Sequence, residues 1–274
     1  MLLTNLLAGQ EFIILCDGAV VLLAALVVVH PLHDLLDLCS HGYRSANGVG
    51  AVQSVVQILN MQVDLEAGLV ITGNHHGTLL SHSFAYSIHA PARSVNIASV
   101  LEPMRKAAVE IICDSIELAV SANAKTVVFH PGYYAFTEEY EKAVSALQRS
   151  LSAISAYAED AGVSACVENM GNWGYFFLKD TGDVPLVGDT PFCLDIGHAN
   201  ECKTLDAFLD VPFSHIHIHD NDGTSDSHAA LGEGNINMTA VCEAVRRYGV
   251  SCPVIECGTL DASLASKKVL EALL

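Results

Sequence analysis

The sequence predicts an α/β protein folded as a (β/α)8 barrel, one domain whose N-terminal third departs from the ideal pattern. Three observations predict it. From residue 84 onward, short apolar runs alternate six times with helix-like segments. The chain has 274 residues, near the roughly 250 that one such barrel takes. The ends of these six runs also carry residues able to bind a metal: His89, His130, Glu168, Asp195, His217 and Glu256. In a barrel the C-terminal strand ends converge on one face, where the chemistry sits.

Residues 1–80 carry the weakest pattern. Residues 11–16 and 24–30 read as strands, and 32–38 and 51–59 as helical pieces. The first two barrel strands must come from this part. His30, His33, His41, His75 and His76 lie here without a ligand-like spacing, and none is assigned as a ligand.

The later runs are FAYSIH at 84–89, TVVFH at 126–130, SACVE at 164–168, PFCLD at 191–195, HIHIH at 215–219 and PVIE at 253–256. Runs of about five residues, rich in Val, Ile and Cys, suit parallel strands buried on both faces. Between them, residues 101–122 carry Met104, Ala108, Ile111, Ile112 and Leu118 at helical spacing, with Pro103 in the first turn. Thr137 reads as an N-cap, with Glu138 and Glu139 behind it and Gly162 as the stop. Residues 238–248 end on Arg246 and Arg247 before Gly249, and 262–274 close the chain. The competing fold is a doubly wound open sheet. Against it, no glycine-rich phosphate turn follows any strand.

The stretch SHIHIHDNDGTSDSHAALGEG, at 214–234, carries the densest chemistry. Alternation at period two puts His215, His217 and His219 on one strand face and Ile216 and Ile218 on the other. Asp222, Asp226 and His228 follow, then the Gly232-Glu233-Gly234 turn. Taken singly, these read as a polar strand end with solvated loop charges. Taken together, imidazole nitrogens and carboxylate oxygens are the donors a divalent metal requires.

Composition narrows the partners. Hydrophobic residues make up 51% and charged residues 16%, which calls for a large buried core. The net charge is −18, from 13 basic and 31 acidic residues. That field repels phosphate backbones and anionic membrane surfaces, so nucleic acid and membrane are both disfavoured as partners. The nine cysteines form no C-x-x-C pair and read as reduced thiols, which points to a cytoplasmic protein. The longest uncharged apolar run, 18–29, is too short to span a bilayer. The N-terminus shows no basic segment of the signal-peptide kind. A homo-oligomer is compatible with these features.

The motifs SIHAP, VVFHPG, VEN, CLDIGHAN, HIHIHDN with D-x-H-x-x-LGEG, and VIE, in that order at predicted strand ends, resemble the xylose isomerase-like barrel superfamily. That superfamily holds metal-dependent sugar isomerases and epimerases, and endonuclease IV. The resemblance covers about residues 84–258 and does not extend to 1–80. It implies a metal held by Glu168, Asp195, His217 and Glu256. Three carboxylates and an imidazole independently make a hard, anionic cage for Mn²⁺, Mg²⁺, Co²⁺ or Zn²⁺.

In the epimerase reading, Glu168 and Glu256, on barrel strands five and eight, exchange a proton beside a sugar carbonyl. His89, His198 and Trp173 then contact the substrate, and one ion is expected. In the endonuclease IV reading, His89, His130, His198, Asp226 and His228 are additional zinc ligands, for up to three ions and phosphodiester cleavage. Loops that hold DNA need basic residues. Here they offer little beyond Arg93, Lys179 and Lys203. The aromatic residues Tyr133, Tyr134, Trp173, Tyr175 and Phe176 suit a sugar wall. A small sugar or polyol is therefore the expected substrate, and a DNA backbone the alternative. A third reading, a barrel that binds metal and ligand without turnover, would call for a lost core ligand, and none is lost.

Overall fold

The computed structural model describes residues 11–16, 19–24, 55–59 and 85–274. Seven strands form one parallel sheet: β3 (Val55–Leu59), β4 (Ala85–His89), β5 (Thr126–Phe129), β6 (Ser164–Glu168), β7 (Phe192–Asp195), β8 (His215–Ile218) and β9 (Val254–Ile255). Their order in the sheet is their order in the chain. A doubly wound sheet reverses direction at a switch point, and this one does not. β4 to β9 curl as a half-barrel with helices, as the six sequence runs predict.

The main helices are α1 (Glu102–Ser121), α2 (Tyr140–Ala161), α6 (Met238–Tyr248) and α7 (Leu260–Leu273). Short turns α3 (Val184–Val187), α4 (Ile196–Glu201) and α5 (Leu205–Phe208) fill the other crossovers. α2 stops on Gly162 at φ 68° and α6 on Gly249 at φ 71°, the left-handed conformation that lets a helix end without a Cβ clash. Asn237 caps α6 by accepting from the Ala240 N–H, and Thr259 caps α7 by accepting from the Ala262 N–H. Among the described residues, no helix is long and apolar enough to cross a membrane.

The described residues of the N-terminal third include a pairing that departs from barrel geometry, as expected. β1 (Glu11–Cys16) pairs antiparallel with β2 (Ala19–Ala24), in register from Glu11 opposite Ala24 to Cys16 opposite Ala19. Residues 25–30 and 32–38, read as strand and helix, lie outside the described residues. The helical reading of 51–59 is corrected: Val55–Leu59 pairs in parallel with β4. Val55, Val56 and Ile58 are β-branched, stiff at χ1, and pack better on a pleated surface than on a helix. Thr137 is a second correction. It lies inside a 3-10 turn, Thr137–Glu139, whose N-cap position is held by Phe136 without a side-chain cap bond.

Period-two alternation divides strands β4 to β8 between two environments. Ile88, Val127, Phe129, Val167, Leu194, Ile216 and Ile218 face the helices and form the main core. Fully burying each such large side chain contributes about 1.5–3 kcal/mol. Val128, Cys166 and Cys193 form a separate small cluster on the inner face. Two residues further along their strands, that face carries His130, Glu168 and Asp195. The barrel thus has a small, soft floor with the polar residues set above it.

Candidate metal centre

Glu168, Asp195, His217 and Glu256 offer ligand atoms that all lie within 4.8 Å of one another, and all four are buried. Glu168 and Asp195 end their strands, His217 is next to last in its own, and Glu256 directly follows β9. The His217 Nδ1 lies 2.5 Å from Glu168 Oε1, 3.4 Å from Glu256 Oε1 and 3.9 Å from Asp195 Oδ2. Every ion pair that the described residues give these three carboxylates is with a histidine. Three buried carboxylates are costly without a compensating cation. Burial pushes the His217 imidazole down, but Glu256 and Glu168 outweigh it and hold its pKa up to about 9. Burial likewise works against the Glu168 anion, yet His217, His130 and His89 keep its carboxyl well below the usual range. The cage draws positive charge, and Glu256 Oε1 has no hydrogen-bond partner of its own. These donors fit a divalent ion.

The other oxygen of Glu168 meets two more histidines. Its Oε2 lies 3.2 Å from His89 Nε2 and 3.1 Å from His130 Nε2. His89 Nδ1 donates to the Ala90 carbonyl at 2.7 Å, which leaves Nε2 free to bind. Burial holds the His130 pKa below its usual value, so this ring is a neutral donor. His89, Glu168 and His217 form a second set able to hold an ion.

Beyond Asp195 lies a third set. Asp226 Oδ2 is 3.5 Å from His198 Nε2 and 3.2 Å from His228 Nε2. His198 Nδ1 donates to the Asn169 carbonyl at 2.9 Å, and His228 Nδ1 to the Glu256 carbonyl at 2.5 Å. Both rings are thus oriented by backbone, with Nε2 presented to Asp226. His228 holds φ at 48°, a strained backbone for a non-glycine residue and of the kind that clusters at functional sites. The nine candidate ligands, four in the quartet and five beyond it, are thus linked in one cluster through Glu168, Asp195 and Asp226.

One sequence expectation needs correction, and one residue went unassigned. Asp222 does not join the cluster. It is exposed and closes a turn by accepting from the Thr224 N–H at 2.9 Å. His219 stands on the strand face that the sequence marks as polar, with no role assigned to it there. It is fully buried, with Nε2 3.1 Å from Asp195 Oδ1. The period-two alternation is the signal that marks it. His215 shares the same face one layer down, its ring 5.4 Å from that of His217. Burial pushes its pKa to about 3, so it stays neutral.

Neighbouring residues brace the centre. Asn169 clamps Asp195 with two backbone bonds, accepting from its N–H at 2.7 Å and donating to its carbonyl at 2.9 Å. Asp220 gathers the N–H groups of Asn221, Gly232 and Ile236 at 2.9, 2.9 and 3.2 Å, pinning the 229–236 loop behind His228. We expect Asp220→Ala to cost about 3 kcal/mol, because buried donors are left unpaired. For a chain of this size that is a fall in Tm of roughly 6–12 °C by circular dichroism. A Tm within about 2 °C of wild type would show that the loop holds without this anchor. Trp173, 43% exposed, stands edge-on to His198 with ring centroids 5.2 Å apart. With Tyr133 and Phe176, whose segments pair across an antiparallel bridge, it lines one side of the mouth.

A family model described as Xylose isomerase-like TIM barrel matches residues 76–273. The uncharacterized protein MJ1614 of Methanocaldococcus jannaschii is 36% identical over 162 residues, which are 58% of this chain and 64% of that protein. The chain thus spans less than two thirds of that relative's length. A solved structure of a D-tagatose 3-epimerase-like protein superposes with a TM-score of 0.73 at 24% identity, covering 88% of this chain and 92% of that one. The TTHB071 protein from Thermus thermophilus, soaked with zinc chloride, superposes with a TM-score of 0.62 at 21% identity, covering 80% of this chain and 97% of that one.

Proposed function

The chain belongs to the xylose isomerase-like TIM barrel family, and from that premise we propose that it is a metal-dependent sugar isomerase or epimerase acting beside a carbonyl. One observation carries this reading: the buried quartet Glu168, Asp195, His217 and Glu256, with its ligand atoms within 4.8 Å of one another. The neighbour named epimerase-like and the zinc-soaked neighbour support it. We propose a single-domain enzyme. Seven described cysteines are free thiols, which suits the cytoplasmic location read from the sequence.

Glu168, Asp195, His217 and Glu256 would hold the ion. When bound, a divalent cation supplies Lewis acidity toward a hydroxyl and its adjacent carbonyl. Glu168 and Glu256 then act as the proton-transfer pair: one carboxylate takes the proton from the carbon beside the carbonyl, and the other returns one. His198, whose Nε2 lies 3.5 Å from Asp226 Oδ2, contacts a substrate oxygen, as does His89. Trp173 provides an apolar wall for the ring or chain. The substrate is a small sugar, sugar phosphate or polyol. The test is deuterium wash-in from D2O next to the carbonyl of a ketose panel, with Mn²⁺ or Co²⁺ supplied. Exchange that depends on the metal supports the reading; a metal-loaded protein that exchanges no ketose would sink it.

A second reading rests on a specific observation, the two further sets around His89 with His130 and around His198, Asp226 and His228. These would make an endonuclease IV-like trinuclear zinc phosphodiesterase. We expect one strongly held ion, with other sites weaker and lost on mild chelation, and no incision of abasic duplex DNA at low salt. A net charge of −18 opposes DNA whatever the metal count. Three stoichiometric zinc ions with incision would promote the nuclease instead.

A further inference from the structure

His219 has no part in the chemistry above, yet it is fully buried at the heart of the site. Its Nε2 lies 3.1 Å from Asp195 Oδ1 and 3.3 Å from Oδ2. The Asp195 Oδ1 also accepts the His198 backbone N–H at 2.7 Å. Oδ1 is thus gripped from two sides, while Oδ2 is the oxygen turned toward His217, at 3.9 Å. The slot that holds the ring is itself built. A Cβ at Gly197 would fall 1.9–2.4 Å from three His219 ring atoms, so only glycine leaves room there. On its other side the ring stacks on His228, centroids 4.0 Å apart and planes 7° from parallel.

His219, Asp226 and His228 have ligand atoms close enough to suggest a shared ion. The stacking argues against it. An imidazole binds a metal in its own ring plane at about 2.0–2.1 Å. Two rings in parallel planes, stacked face to face, cannot both hold one ion in plane. His228 is oriented for Asp226 by its backbone bond. His219 lies nearer to Asp195, at 3.1 Å, than to Asp226, at 3.6 Å.

We propose that His219 is a positioning residue that fixes the Asp195 carboxylate for cation binding, in a slot opened by Gly197. The inference rests on Asp195 being a ligand in the quartet described above. Its Nε2–H donates to Asp195 and sets which oxygen faces Glu168, His217 and Glu256. Partners of this kind around a metal ligand typically contribute 10–100-fold in metal affinity.

The test measures Mn²⁺ affinity and stoichiometry by electron paramagnetic resonance on the full chain, with no substrate needed. His219→Leu is expected to weaken the tight site about 10–100-fold without changing the number of ions bound. His219→Gln should recover most of the affinity, because its amide nitrogen reaches where Nε2 stands. His219→Asn should not, because its amide reaches only the Nδ1 position. The Gln and Asn pair keeps the test decisive if the Leu variant fails to fold. Gly197→Ala should reproduce the loss with His219 still present. Unchanged affinity in His219→Leu, or equal behaviour of Gln and Asn, would overturn the proposal. Loss of one whole ion with the tight site intact would make His219 a ligand and overturn it as well. A wild-type chain that takes up no Mn²⁺ would overturn the cation reading beneath it.

Discussion

Glu168→Gln and Glu256→Gln are each expected to reduce metal-dependent deuterium exchange by about 10²–10⁴-fold, because each removes a proton-transfer group. The two variants should differ in every other respect. Glu168 meets His89, His130 and His217 at once, with Oε2 and Oε1 divided between them. A glutamine there turns an amide toward one of these rings and leaves the histidines without their anion. Metal affinity should fall along with the rate. Among the described residues Glu256 makes one ion pair, with His217 at 3.4 Å, and its Oε1 makes no hydrogen bond. Its amide replaces one ligand atom and disturbs little else. With excess Mn²⁺, Glu256→Gln should therefore bind substrate with a near-normal KM while kcat collapses. Wild-type exchange in either variant would remove that residue from the mechanism.

The strand ends were legible because a parallel barrel buries both faces of each strand. A polar residue survives there only where it closes the strand at the mouth, and Glu168 and Asp195 do so. The His215–Ile218 strand was legible for the opposite reason: it alternates, so one face had to be polar. Two misreadings and one omission have physical causes. Residues 51–59 place apolar groups at spacings that fit a helix or a buried strand equally, and periodicity alone does not arbitrate. The β-branched content of Val55, Val56 and Ile58 was the better guide. Asp222 carries the same carboxylate as Asp226, but a turn faces one to solvent and the other to His198 and His228. His219 lacked an assignment because its place depends on Gly197, more than twenty residues earlier, having no side chain. A packing relation of that kind has no sequence periodicity to report it.

Stripping the metal should lower thermal stability by a large margin, and Glu256→Gln should reverse the sign of part of that loss. An ion that binds only the folded state contributes about 4 kcal/mol when free metal stands at roughly 1,000 times its Kd. For a chain of this size that is a Tm difference on the order of 10 °C between Mn²⁺-saturated and chelated protein. The chelated state carries three buried carboxylates, Glu168 1%, Asp195 0% and Glu256 4% exposed, and the histidines around them, with His217 held up to about 9, offset only part of that charge. Like charges held that close out of water destabilise one another. Replacing Glu256 by a neutral amide of nearly the same shape removes one of them and breaks no hydrogen bond of Oε1. Chelated Glu256→Gln should therefore melt at or above chelated wild type, while gaining far less from added Mn²⁺. Calorimetry on the two proteins, each with and without metal, checks both halves. A chelated wild type that melts as high as the loaded form, or a chelated Glu256→Gln that melts well below it, would mean that protons on the surrounding histidines already neutralise the quartet and that no cation is needed to stabilise it.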